Sequence, residues 1–168
     1  MTDEVETNRT QNVADLLEMR SRGYRELAEY RANAAEVLGG ILERAGSFRH
    51  ADAAEIQSAA ADLVDAVYRY PDALLCLSDL HNFDPSTHQH CVNTAALSVL
   101  IARRLGLPRQ EVLEIAIGAL LHDLGKLTVP LSILRFPGKL SAAAWDVMKQ
   151  HALQGAEIGA AYDNLSPA

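Results

Sequence analysis

From Asn12 onward, apolar residues return every three or four positions: Val13, Leu16, Leu17, Tyr24, Leu27, Ala34, Val37, Leu38, Ile41 and Leu42. That spacing places them on one face of a long helix. Gly23 weakens its middle, and Gly46 suits its end. Glu18, Arg22, Glu26, Glu29 and Glu36 fall on the opposite face. They read either as the solvated side of a packed helix or, in the sharper reading, as a docking surface, a homodimer through helix 12–45. Residues 1–11 are mostly polar and predict a disordered N-terminus.

The same periodicity continues along the chain. Asp52-Ala53-Ala54-Glu55 has the form of a capping box, followed by the stripe Ile56, Ala60, Leu63, Val64 and Val67. Pro71 suits the first position of a helix through Leu74, Leu75, Leu77 and Leu80. Asp84-Pro85 repeats that start for a helix to about Leu105, which Gly106 ends. Pro108 opens a helix from Arg109 to about His122. Residues 125–140, with Pro130, Pro137 and Gly138, predict an extended loop. Ser141 caps a helix through Trp145 and Met148, two residues that read as core. A final helix is expected near Leu153 to Ala161. Leu127-Thr128-Val129 is too short to build a sheet, so the chain reads as all-α.

Composition narrows the function. Half of the 168 residues are hydrophobic (49%) and 22% are charged, as in ordinary globular proteins. A net charge of −7 argues against a nucleic-acid polymer as partner, but not against a small anion met by local cations. No apolar run is long enough for a membrane span, and the acidic start is unlike a signal peptide. Cys76 and Cys91 form no disulfide framework and read as packed thiols in a reducing compartment, which predicts a cytoplasmic protein.

The chemistry gathers at Gly118-Ala119-Leu120-Leu121-His122-Asp123-Leu124-Gly125-Lys126. An apolar helical run ends in two polar groups, and Asp123 faces the negative end of the helix dipole. A positive partner is required, either Lys126 or a metal ion. His90, His122 and His151 lie on three expected helices at intervals of 32 and 29 residues. Helices returning side by side could each offer one imidazole to a shared point. Imidazoles plus a carboxylate, without thiolates, suit Fe, Mn, Zn or Ni. Each histidine taken alone is more ordinarily a surface or hydrogen-bonded residue.

An ordered series of motifs adds to this. His90-Cys91-Val92-Asn93, the Gly118–Lys126 stretch, Val129-Pro130-Leu131-Ser132-Ile133-Leu134, Pro137-Gly138-Lys139-Leu140 and Met148-Lys149-Gln150-His151 with Gly155 follow one another. From about Val64 to Ile158 the chain resembles the first part of an HD-GYP domain, of the HD metal-dependent phosphohydrolase superfamily. The resemblance implies an all-α HD-type bundle, C-terminally incomplete and preceded by additional helices. It divides the chain into 1–11, a helical region 12–70 and a partial HD domain 71–168. It also implies that His90, His122, Asp123 and His151 are metal ligands and that Asp123 bridges two metals. Lys126 would meet a substrate phosphate, so that Asp123 and Lys126 carry the catalysis.

Members of that family hold two or three metals, usually iron or manganese, and hydrolyse cyclic di-GMP. The second ligand group and the Gly-Tyr-Pro segment do not occur in this sequence. At most one weakly bound ion and little phosphodiesterase activity are therefore expected of this chain alone. Phe136 stands where the family usually has Lys, and Ser86 where three-metal members have Glu. Three readings stay open: part of a cyclic di-GMP phosphodiesterase, a shortened non-catalytic member acting by binding or dimerisation, and an HD-superfamily hydrolase of another nucleotide or phosphate ester.

Overall fold

The computed structural model describes residues 2–43, 50–70 and 87–160. The expected helix through Leu74 and Leu80 lies outside these residues, as does the Asp84-Pro85 helix start. Among the described residues there is no strand, and the architecture is all-α. α1 runs Thr2–Glu43, α2 His50–Arg69, α3 Thr87–Arg104 and α4 Arg109–Leu121. A 3₁₀ turn at Leu124–Thr128 follows, then the one-turn α5 (Leu131–Leu134), α6 (Ala142–Lys149) and α7 (His151–Ala160).

α1 is helical from Thr2, about ten residues before the apolar spacing begins. α2 begins at His50 rather than after an Asp52 cap, a shift of the size at which helix starts commonly fray. The stretch read as an extended loop holds two short helical turns, because Pro130 opens α5 just as Pro108 opens α4. Ser141 caps α6 as expected: its Oγ accepts the Ala144 backbone N–H at 3.2 Å.

α3 ends at Gly106, whose φ of +75° few other residues adopt readily. The Leu107 N–H donates to the Ala102 carbonyl at 3.2 Å, and the Gly106 N–H to Arg103 at 3.0 Å. This double closure satisfies two orphan carbonyls and turns the chain sharply into α4. α3 and α4 therefore pack as neighbours, and α1 lies along α2.

One core joins all four long helices. Leu27 and Ala34 of α1, Ile56, Leu63, Val64 and Val67 of α2, Val92 and Val99 of α3, and Val112 and Ala116 of α4 are buried together. Gly23, in the middle of α1, is where the Tyr70 ring packs; a Cβ there would meet its Cδ1 at 2.7 Å. Arg103 ties α3 to α2 by donating to the Val67 carbonyl at 3.0 Å while lying 4.9 Å over the Tyr68 ring. α5, α6 and α7 bury no residue fully. Trp145, expected in the core, is 53% exposed, and Leu131, Phe136 and Leu153 are also exposed. α6 is only two turns long and packs lightly on α5 and α7, so its apolar face stays open. No helix among the described residues is long and apolar enough to cross a membrane.

Candidate metal centre

α4 anchors one end of the site. Val112, Ala116, Ile117 and Leu120 are buried along one side of it, which fixes where its C-terminus points. His122 keeps helical backbone angles (φ −55°, ψ −28°), and Asp123 departs from them (φ −100°, ψ 6°). That break turns the carboxylate inward. Asp123 is 5% exposed, the one buried charged residue among the described residues. A buried carboxylate needs a cationic or metal partner. The Lys126 Nζ donates to Asp123 Oδ2 at 2.7 Å, across a turn closed by the Lys126 N–H on the Asp123 carbonyl at 2.9 Å.

Three imidazoles surround the same carboxylate. His122 Nε2 is 3.4 Å from Oδ2, and His90 Nε2, from α3, is 3.9 Å from that oxygen. His151 Nε2, at the start of α7, is 3.7 Å from Oδ1. The His90 and His122 rings meet edge to face, 5.2 Å between centroids. His122 Nδ1 lies 2.8 Å from the Ala119 carbonyl oxygen, and His151 Nδ1 lies 2.6 Å from that of Met148. A carbonyl only accepts, so Nδ1 donates in both rings, and Nε2 is the atom left facing the carboxylate. This is the orientation that metal-ligating histidines need.

Separations of 3.4–3.9 Å are too long for strong hydrogen bonds. They suit ligand atoms around an ion, since bonds of about 2.0–2.2 Å leave neighbouring donors about 3–4 Å apart. His90, His122 and Asp123 form a group whose ligand atoms lie within 4.8 Å of one another. His151 faces the other oxygen. The four residues come together, but as two donor groups on either side of one carboxylate rather than as a ring around one point.

α7 reaches the site through a close glycine contact. Gly125 and Gly155 pack backbone to backbone; a Cβ on Gly125 would overlap the His151 carbonyl and come within 2.5 Å of Gly155 N. The Thr128 hydroxyl donates to the Gly125 carbonyl at 2.8 Å and contacts the Gln154 side-chain amide. The sequence contained this pair of glycines, one in each motif, but not the fact that they touch.

Cys91, beside His90, is 2% exposed. Burial first, and then the Asp123 carboxylate, push its thiol up to about 11. It stays protonated at neutral pH and is a packing residue, as expected. His88 is half-buried beside Gly39 of α1. Asn93 accepts hydrogen bonds from Gln89 and from Arg31 of α1.

Residues 87–167 match the HD domain family model. Over 103 residues the chain is 42% identical to a cyclic di-GMP phosphodiesterase of Pseudomonas aeruginosa, covering 59% of this chain and 25% of that protein. It is 36% identical over 94 residues to a cyclic di-GMP phosphodiesterase of Thermotoga maritima, covering 56% and 25%. It is 39% identical over 72 residues to a 3′3′-cGAMP-specific phosphodiesterase of Vibrio cholerae, covering 43% and 14%. The chain thus spans about a quarter or less of the length of these relatives. No solved structure matches it. The His-Asp pair that closes α4 and the histidines of α3 and α7 set against it all lie within the stretch, residues 87–167, that is similar to the HD domain family.

Proposed function

We propose that this chain carries part of the metal centre of a phosphohydrolase that opens one phosphodiester bond of a cyclic dinucleotide, cyclic di-GMP in the first instance. The observation that carries this reading is the buried Asp123 carboxylate faced by three imidazole Nε2 atoms, two of them held in the ligating orientation by the backbone carbonyls of Ala119 and Met148. Asp123, His90 and His122 would hold one ion; the donor set suits Fe, Mn, Zn or Ni, and the resemblance favours Fe or Mn. His151, 3.7 Å from the second carboxylate oxygen, would join Asp123 in holding a further ion. A bound divalent ion supplies charge to polarise a phosphoryl oxygen and to acidify the attacking water.

The rest belongs to the protein. Lys126 brings a compact positive charge beside the carboxylate, where a substrate phosphate can meet it as a point charge. Such a local cation is what a protein of net charge −7 needs to receive a dianionic ligand. The chemistry of the named relatives favours cyclic di-GMP or 3′3′-cGAMP over mononucleotides. We read the chain as cytoplasmic, and helix 12–45 as a homodimer surface, on which Leu17 and Met19 are exposed. Residues 12–70 form, in this reading, a helical region that shares its core with the HD portion, 71–168.

The test incubates Mn²⁺-loaded protein with cyclic di-GMP, 3′3′-cGAMP and ordinary mononucleotides, following both binding and the linear dinucleotide product. Binding of a cyclic dinucleotide that requires metal and weakens in Lys126→Ala is expected, with slow turnover. Recognition of mononucleotides alone, or binding indifferent to metal, would overturn the reading.

A further inference from the structure

His90 is the least anchored of the three histidines. His122 and His151 lock their rings onto backbone carbonyls three residues before them, those of Ala119 and Met148. Among the described residues the His90 ring makes no hydrogen bond, and its side chain is 61% exposed. Its placement therefore depends on how α3 itself is held. Thr94 Oγ1 donates to the His90 carbonyl at 2.9 Å. Asn93, about one turn beyond His90, is gripped from two sides: its Oδ1 accepts from Gln89 Nε2 at 3.3 Å and from a terminal guanidinium nitrogen of Arg31.

Arg31 is out of place by the logic of packing. It stands in the α1 stripe of Leu27, Ala34 and Leu38, all buried. Its Nε is buried without a hydrogen-bond partner among the described residues, and no carboxylate pairs with it there. Burial holds its pKa below the usual arginine value, although a guanidinium stays charged at any physiological pH. Keeping that charge half-buried against a neutral amide is costly, and a Met or Leu would fill the space without the cost. The side chain instead ends on the turn that presents His90. α1 meets α3 again on the far side of His90, where a Cβ on Gly39 would lie 3.8 Å from the His88 ring. α1 thus brackets the ligand turn.

We propose that Arg31 is a positioning residue for the metal centre, acting through Asn93 to fix the α3 turn from which His90 reaches Asp123. This rests on the metal-centre reading above. It makes α1, a helix outside the HD match, a working part of the site, so that any shift of α1 along α3 changes the ligand geometry.

The experiment measures Mn²⁺ affinity by isothermal titration and the visible spectrum of the Co²⁺-loaded protein. The variants are Arg31→Met, Asn93→Ala, the two combined, His122→Ala, and Arg103→Met as a tether remote from the site. Arg31→Met and Asn93→Ala should each weaken Mn²⁺ binding about tenfold, the cost typical of removing a ligand's supporting partner, and should change the Co²⁺ bands. The combined variant should be no worse than either alone, because the two act as one unit. Arg103→Met should lower the melting temperature and leave affinity unchanged. Should Arg31→Met fail to fold, Asn93→Ala decides alone, since it leaves α1 intact. Wild-type affinity and spectrum in Asn93→Ala or in a folded Arg31→Met, with binding lost in His122→Ala, would overturn the proposal. So would an equal loss in Arg103→Met. Full binding in His122→Ala would instead defeat the metal-centre reading itself.

Discussion

Gly125→Ala should unseat α7 and take His151 away from the carboxylate. The added Cβ meets backbone rather than the tip of a flexible side chain: the His151 carbonyl and, at 2.5 Å, Gly155 N. Neither atom can rotate aside, so the 3₁₀ turn and α7 must separate. Forcing even a methyl group into close packing costs about 1–3 kcal/mol. α7 has no fully buried residue to hold it once that contact opens. The expected outcome is a lowered melting temperature together with a weakened His151 side of the site. Gly118→Ala is the matched control. Gly118 is helical and exposed, with nothing within 4 Å of an added Cβ, so alanine there should be neutral or stabilising by about 0.4–1 kcal/mol. Thermal melts of the two variants check the contrast. Equal melting temperatures would mean that α7 is not seated on Gly125.

Asp123→Asn should remove metal binding while the helices stay folded. Asparagine keeps the volume but replaces one acceptor oxygen with an NH2 donor and removes the charge. The three imidazoles are neutral when they ligate, so Asp123 supplies the only negative charge among the four donors. Loss of a supporting partner alone typically costs 10–100-fold in metal affinity, and loss of the central ligand should reach about a hundredfold or more. The fold should survive because Lys126, left without its 2.7 Å partner, is 30% exposed and can turn to water. A destabilisation of about 1–3 kcal/mol is expected from the broken pair. Titration with Mn²⁺ beside circular dichroism separates the two effects.

Periodicity located the long helices because each has a face that must be buried. Leu27, Ala34, Ile56, Ala60, Leu63, Val64 and Val67 stand in the core where helical spacing put them. Gly106 and Ser141 were legible because caps are local chemistry. Trp145 misled, since an aromatic at helical spacing signals a core only if another element covers it, and α6 lies open on that side. His90, His122, Asp123 and His151 could be picked out of the sequence as candidates, but not the division of the three imidazoles between the two oxygens of Asp123. That division depends on the backbone break after His122 and on the Gly125–Gly155 contact, both of which are tertiary. Arg31 did leave a trace in the sequence: a charge standing in line with Leu27, Ala34 and Leu38 on a face that should be apolar.

The central claim, that histidines from separate helices and Asp123 ligate a common metal centre, is most directly tested by X-ray absorption at the metal edge of the Mn²⁺- or Co²⁺-loaded protein. Outer-shell scattering from at least two imidazole rings is expected, with one ring lost in His122→Ala and another in His90→Ala. A spectrum fitted by water and carboxylate oxygens alone, unchanged in both variants, would contradict it.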